Sequence, residues 1–368
     1  MPSMSLLPLA WLRALRPLLG PLRVLVRQRW LREADVDAAL AVLNPAWALN
    51  RVFARVEGRQ WVADDMLALR LRPNANWCGA RPGQHLQLFI EHDGVRLGRS
   101  YSLIADEDGC LEIAVKLQPG GRVSPLLLGR LCVGDVLELG TPGGELHWPQ
   151  DERGVLLLAA GSGLTPLLGL LRQALADGYR GPVTLLHYVR ERSQRAFVES
   201  LQALAREYPN FRPRWAISGG AAQAGELQGR FDAMHLQGLP GEHVLACGPA
   251  GFVGAVRDHL EPRAASLQWE AFSAPAWTTD EAQREVHLHF ARSGRQVAGD
   301  NQRSLLEQAE AAGLRPAHGC RQGICASCTC TLLAGSVRDL RSGALHSEPQ
   351  QPIRLCVSAP QGDVSLDL

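Results

Sequence analysis

The chain has 368 residues, 46% of them hydrophobic and 20% charged, with a formal net charge of +1. That length exceeds one ordinary core and suits two or three domains, and a charge so near zero gives neither a basic field for nucleic acid nor an acidic one. Nine cysteines, an odd number in a chain this long, favour a reducing compartment with free buried thiols over a secreted disulfide framework, so a cytoplasmic location is expected.

The N-terminus departs from that average. Residues 1–32 hold Arg13, Arg16, Arg23, Arg27, Arg29 and Arg32 and no acid, interleaved with leucines, Trp11 and Trp30. The arginines cut every apolar run well short of the roughly 18 residues a spanning helix needs. Charge inside the apolar region, with no small-residue cleavage site after it, also fits a signal peptide poorly. Two readings stay open for this segment, taken as 1–47. It is a basic amphipathic stretch, broken by Pro8, Pro17 and Pro21, lying on a membrane surface or a membrane-embedded partner, or it is a pair of short helices packed on the body of the protein.

From Arg51 to about Trp148 the runs "RVFARVEG", "MLALRLRP", "HLQLFIEHDG", "LEIAVKL" and "DVLELGTPGG" alternate apolar and polar residues between Gly- and Pro-rich breaks. The pattern predicts a small antiparallel β-barrel or sandwich over 48–148. At Arg153 it changes. "GVLLLAAGSGLTPLLGLLRQALADG" reads as a buried strand, a glycine turn and a helix closed by Gly178, followed by strands at "VTLLHYV" and "EHVLACGPAG" with a helix near "AFVESLQALAREY". Alternating strands and helices predict an α/β domain with a parallel sheet over 149–273. "SAPAWTTDEAQR" reads as a linker near 274–284, and 285–368 as a last compact unit.

Two glycine turns mark the α/β domain. "AAGSGLTP" puts Gly161 and Gly163 at a strand-to-helix turn, where missing side chains let a pyrophosphate reach backbone N–H groups and a helix N-terminus. It lacks the third glycine of the G-x-G-x-x-G fingerprint and so points to a different nucleotide-binding variant. "ACGPAG" closes a later strand of the same sheet, and ligands of open α/β sheets bind at such strand ends. In the preceding domain, "RSYS" follows one strand, and "VKLQPGGRVS" follows another with Gly120, Gly121 and Ser124 in a turn, offering a phosphate clamp, an aromatic ring and a backbone phosphate cradle.

R-x-Y-S, a glycine turn with a following Ser, G-x-G-x-x-P and C-G-P, in that order, resemble the ferredoxin–NADP reductase superfamily, a flavin-binding barrel followed by a pyridine-nucleotide domain. The resemblance implies that Arg99, Tyr101 and Ser102, with Lys116, hold the flavin's phosphate and ring, and that Gly121, Arg122, Val123 and Ser124 hold its pyrophosphate. It places Gly161, Gly163 and Thr165 against the nucleotide's pyrophosphate and nicotinamide, with Cys247, Gly248 and Pro249 beside the site of hydride transfer. Cys247, Thr165 and Tyr101 are thus the expected groups at the reacting centre. FAD is preferred to FMN because the turn at 120–124 offers a second phosphate site. Arg190, Arg192 and Arg195 in "VRERSQR" lean toward NADPH over NADH, since a ribose 2′-phosphate calls for arginine.

"HGCRQGICASCTC" carries Cys320, Cys325 and Cys328 as C-x4-C-x2-C, with Cys356 downstream. This is the plant-type spacing in which four thiolates hold a 2Fe-2S cluster. Zinc is the main rival, but its structural sites use two short hooks and only one is present. Cys330 reads as a buried strand thiol, and His318 as a hydrogen-bonding loop residue. A β-hairpin at "EVHLHFARSGRQVA" and a helix at "SLLEQAEAAG" ending at Gly313 precede the loop, the pattern of a β-grasp ferredoxin domain. The C-terminal stretch "GSVRDLRSGALHSEPQQPIRLCVSAPQGDVSLDL" and the lead-in "NPAWALNRVFARV" are similar to bacterial NADPH-dependent reductases that feed membrane fatty-acyl desaturases of the stearoyl-CoA type. The resemblance therefore implies electron transfer from NADPH through FAD and the 2Fe-2S cluster to a membrane di-iron desaturase. A Rieske-type or other oxygenase is the alternative acceptor, and a non-catalytic redox sensor or zinc-stapled binding module the alternative of another class.

Overall fold

Alternating apolar residues build six antiparallel strands: β1 (Val52–Ala63), β2 (Met66–Pro73), β3 (His85–His92), β4 (Val95–Glu107), β5 (Cys110–Lys116) and β6 (Val136–Leu139). In the computed structural model, which describes residues 16–92, 95–272, 282–319, 321, 323 and 326–368, they close into a barrel in the order β1-β2-β5-β4-β3-β6. Closure pairs every strand edge. The inward side chains Leu67, Leu69, Leu71, Leu86, Leu88, Leu111, Ile113 and Val115 are sealed from solvent, and truncating one such leucine to alanine costs about 2–5 kcal/mol.

"RSYS" was expected after a strand; it lies inside β4, where Tyr101 pairs with Leu86 and Ser102 with His85. Polar residues from Arg99 to Ser102 hide the alternation, and the backbone ladder to β3 keeps the segment extended regardless of side chain. After β5 a glycine turn enters the short helix α3 (Ser124–Gly129), which follows α1 (Gly20–Arg27) and α2 (Glu33–Leu43) in the chain.

The inner face of the N-terminal segment, over residues 16–50, packs as the second reading expects. Leu19, Val36, Leu40 and Leu49 form an apolar cluster joined by Leu22, Val26 and Trp47. Arg23 donates to the Leu49 carbonyl at 2.9 Å, Asp37 accepts from the Leu49 N–H at 2.7 Å, and Asn74 donates to the carbonyls of Ala46 and Arg51, each at 3.0 Å. The first two bonds brace the segment internally and Asn74, just after β2, fastens it to the barrel; each of these groups would cost free energy if buried unpaired.

The α/β domain has strands β7 (Val155–Ala160), β8 (Val183–Val189), β9 (Phe211–Ile217), β10 (Leu227–Gln228), β11 (His243–Gly248) and β12 (Ser266–Ala271), with helices α4 (Leu164–Ala176), α5 (Val198–Glu207) and α6 (Ala250–Leu260). Their order is β10-β9-β8-β7-β11-β12, with parallel pairing from β10 across to β11. Every residue of β8 is buried, as a parallel strand covered on both faces requires. The chain leaves β7 toward β8 on one side and returns to β11 on the other, so strand order reverses between β7 and β11.

The barrel and nearly all of the α/β domain form one compact unit, Met1–Gly248 with Phe252–Glu270; the other takes Pro249–Gly251 and Ala271–Leu368. In the latter, β13 (Glu285–Phe290), β14 (Arg295–Asp300), β15 (Thr329–Ala334), β18 (Gln351–Arg354) and β20 (Val364–Leu366) form a mixed sheet in the order β14-β13-β20-β15-β18, and β16 (Val337–Asp339), β17 (Leu345–His346) and β19 (Ser358–Pro360) a small second sheet. Helix α7 (Leu305–Ala311) lays Leu305, Leu306 and Ala309 against Leu288, Phe290 and Leu332. Its start is a capping box: Ser304 accepts from the Glu307 N–H while Glu307 accepts from the Ser304 N–H.

Candidate functional site

The two glycine turns meet where the strand order reverses. The first leaves β7 at Gly161, in the left-handed region at φ +55°, and enters α4. At Gly163 a Cβ would lie 1.9 Å from the Cys247 carbonyl oxygen, so only glycine lets the turn lie against the end of β11. Thr165 is buried and its hydroxyl donates to the Ser162 carbonyl at 3.0 Å. That bond tightens the turn and leaves the hydroxyl oxygen with lone pairs to accept.

His187 on β8, a residue the sequence reading passed over, bonds the Gly161 carbonyl through Nε2 at 3.0 Å. It is wholly buried, and that burial pushes its imidazole down to about 4. At neutral pH the ring is uncharged and its Nε2–H is the donor. Lys116, at the end of β5, pairs with Asp65 at 3.2 Å. Its Nζ also lies 3.2 Å from where a Gly161 side chain would begin, bringing a cation from the barrel to the nucleotide turn.

Cys247 is fully buried at the end of β11, and burial with the nearby Glu270 carboxylate pushes its thiol well up. It stays a neutral thiol. Glu270, on β12, also approaches His85 Nδ1 at 3.6 Å. No motif in the sequence marked it, yet the fold brings it to the same centre as Cys247.

On the barrel wall, Tyr101 is half-buried and burial pushes its hydroxyl up, opposed by Arg99; it acts as a neutral phenol. Arg99 donates to the Gly98 carbonyl at 2.7 Å, and Ser102 is buried. In the turn that follows β5, the Ser124 hydroxyl accepts from the Gln118 N–H at 2.9 Å and the Gly121 N–H donates to the Gln118 carbonyl at 2.9 Å. Val123 is buried and Arg122 exposed. These bonds hold the loop in shape and leave Arg122 outward, a cradle whose chemistry fits a phosphate. The arginines after β8 divide: Arg192 and Arg195 both bind Glu226, at 2.6 Å and 2.9 Å, while Arg190 is exposed.

In the C-terminal unit, Cys328 and Cys356 are buried with their sulfurs 3.2 Å apart. That is far beyond the roughly 2.05 Å of a disulfide and shorter than the roughly 3.8 Å edge of a tetrahedral thiolate site with about 2.3 Å metal–sulfur bonds. The Gly323 N–H donates to the Cys356 sulfur at 3.2 Å, which favours a thiolate there. Gly323 sits at φ +73°, and its carbonyl is gripped by Arg354 and, at 3.3 Å, by Arg341. Cys320 and Cys325 lie outside the described residues. His318 bonds the Pro316 carbonyl at 3.0 Å and Arg321 at 2.9 Å, the loop role foreseen for it, and Cys330 is a buried residue of β15. The donor set fits an iron–sulfur cluster.

Three known families match in the same order: an oxidoreductase FAD-binding domain over residues 54–148, an oxidoreductase NAD-binding domain over 157–258 and a 2Fe-2S iron-sulfur cluster binding domain over 288–361. An NADPH oxidoreductase of Mycobacterium tuberculosis is 32% identical over 345 residues, 90% of this chain and 88% of that protein. The chain belongs to the ferredoxin reductase-type flavoprotein oxidoreductases. This reductase is also 30% identical over 318 residues to the ferredoxin reductase component of a 3-ketosteroid-9-alpha-monooxygenase from the same species, covering 77% of this chain and 83% of that one. Among solved structures, phthalate dioxygenase reductase, described as a modular structure for electron transfer from pyridine nucleotides to 2Fe-2S, superposes with a TM-score of 0.58 at 25% identity over 86% of this chain and 97% of that one. The reductase therefore has FAD-binding, NAD-binding and 2Fe-2S domains.

Proposed function

We propose that the reductase takes hydride from NADPH and delivers electrons one at a time to a separate oxygen-activating enzyme. The observation that carries this reading is the paired, N–H-supported thiols Cys328 and Cys356, on a domain that follows complete flavin and nucleotide domains in one chain. A nicotinamide gives two electrons together and an iron–sulfur cluster takes one; a bound flavin supplies the exchange between them. Arg99, Tyr101, Ser102, Lys116 and the turn at 121–124 are the residues that hold the flavin, and Cys320 and Cys325 complete the cluster's ligands with Cys328 and Cys356. At the hydride-transfer centre, Cys247 and the Gly163 turn fix where the nicotinamide lies, and Cys247 packs there as a neutral thiol.

For the nucleotide, Arg190 is the 2′-phosphate ligand, because Glu226 already engages Arg192 and Arg195. Arg190→Ala should raise KM for NADPH at least tenfold and leave KM for NADH within twofold, since one charge-assisted bond is worth roughly 1.5–3 kcal/mol. Equal effects on both would refute the assignment.

The acceptor we favour is a membrane di-iron fatty-acyl desaturase, on the likeness of the C-terminal stretch to reductases of such systems. A soluble oxygenase is the second reading, supported by relatives named as reductase components of a 3-ketosteroid monooxygenase and a phenylacetyl-CoA epoxidase. NADPH consumption by the purified reductase, measured with desaturase-containing membranes and with a Rieske-type oxygenase, separates them. Stimulation by the oxygenase alone would remove the desaturase.

A further inference from the structure

Helix α1 has two faces. Leu19, Leu22 and Val26 point into the apolar cluster under it, while Val24, 48% exposed, and Arg27 lie on the opposite side. The helix ends in a left-handed cap: the Arg29 N–H donates to the Val26 carbonyl at 2.9 Å and the Trp30 N–H to the Leu25 carbonyl at 3.0 Å. The residue that must adopt positive φ in this cap is ordinarily glycine. Here it is Arg29, at φ +62°.

The next residue in such a cap commonly folds its apolar side chain back onto the last helical turn. Trp30 does not; it is 76% exposed, and Leu31 beside it is 40% exposed. Both the strain at Arg29 and the outward indole work against the isolated fold, and a requirement for this charge and this ring at the tip accounts for both. The nearest acids are already engaged: Asp35 holds Arg32 at 2.8 Å, and Glu33 accepts from Asn50 at 3.1 Å. Arg27 and Arg29 remain exposed.

An indole and an aliphatic side chain flanked by arginines match the boundary between headgroups and acyl chains, where an amphipathic ring sits at the interface and guanidinium groups meet lipid phosphates. We propose that Val24, Arg27, Arg29, Trp30 and Leu31 form an insertion tip that holds the reductase on an anionic bilayer surface. The tip rides on a segment hydrogen-bonded to the stretch after β2 through Arg23 with Asn76 and through Asn74 with Ala46, so membrane contact would fix the position of the flavin domain. The inference is independent of which enzyme accepts the electrons.

Sedimentation of the full-length, flavin-loaded protein with protein-free vesicles tests it. The wild type should bind phosphatidylglycerol vesicles about tenfold more tightly than phosphatidylcholine vesicles, with the difference shrinking as salt rises. Trp30→Ala should weaken binding to phosphatidylglycerol about tenfold. Arg29→Gly should weaken it several-fold while leaving the thermal midpoint no lower than the wild type, an outcome a purely structural role for Arg29 does not give. Neither variant should change NADPH-driven ferricyanide reduction. Equal binding to both lipids, phosphatidylglycerol binding by the Trp30→Ala, Arg29→Gly double variant that matches the wild type, or binding only when the vesicles carry an integral membrane protein would each overturn the proposal, the last in favour of a protein partner.

Discussion

His187 ties a buried titratable side chain to the backbone of the nucleotide turn. An unfolded chain binds a proton at this imidazole near pH 6.5, whereas the folded one resists until about 4. The stability this contributes is fully present above pH 6.5 and is lost as pH falls toward 4, a total of roughly 3 kcal/mol. Urea unfolding at pH 7 and pH 4.5 should show a smaller acid loss for His187→Gln than for the wild type; identical losses would remove His187 as the cause. Cys247 makes the opposite case. Its thiol pKa is raised, so it remains protonated through neutral and mildly alkaline pH, and the pH profile of ferricyanide reduction should carry no thiol ionisation between pH 7 and 9. A step there that vanishes in Cys247→Ala would show a thiolate at work.

At the scale of elements, the Gly163 turn is the joint between β7, α4 and the end of β11. Gly163→Ala places a methyl group on the Cys247 carbonyl and must push the turn away, so KM for NADPH should rise at least tenfold while flavin content stays at the wild-type level. Unchanged NADPH kinetics would separate this turn from the nucleotide site. Glycine turns and parallel-strand runs were legible in the sequence because their physics is local. Missing side chains, continuous apolar strands and caps act within a few residues, and the hairpin β13–β14, helix α7 and strand β15 lie where the local pattern put them. Long-range pairing was not legible. "RSYS" belongs to β4 through its ladder with β3, and Glu226 engages Arg192 and Arg195 across more than thirty positions. Glu270 reaches the surroundings of Cys247 only because β11 and β12 are neighbours in the sheet.

Over the whole molecule, the order of domains is itself the chemical argument: a barrel for a flavin, a parallel sheet for a pyridine nucleotide and a cysteine-bearing grasp of strands around α7. The N-terminal segment adds no domain of its own: its inner face closes a small apolar cluster beside the barrel, and its tip, the proposed bilayer contact, stays in solvent. The central claim is that electrons entering from NADPH leave through the thiolates of the C-terminal unit. Its most direct measurement is electron paramagnetic resonance of the NADPH-reduced protein, wild type against Cys356→Ser, with ferricyanide reduction as the control for an intact flavin path. The account predicts a rhombic 2Fe-2S signal in the wild type, and in Cys356→Ser its loss or marked change together with loss of cytochrome c reduction but not of ferricyanide reduction. A wild-type protein that bleaches its flavin with NADPH and shows no such signal, or a Cys356→Ser variant that reduces cytochrome c at the wild-type rate, would contradict it.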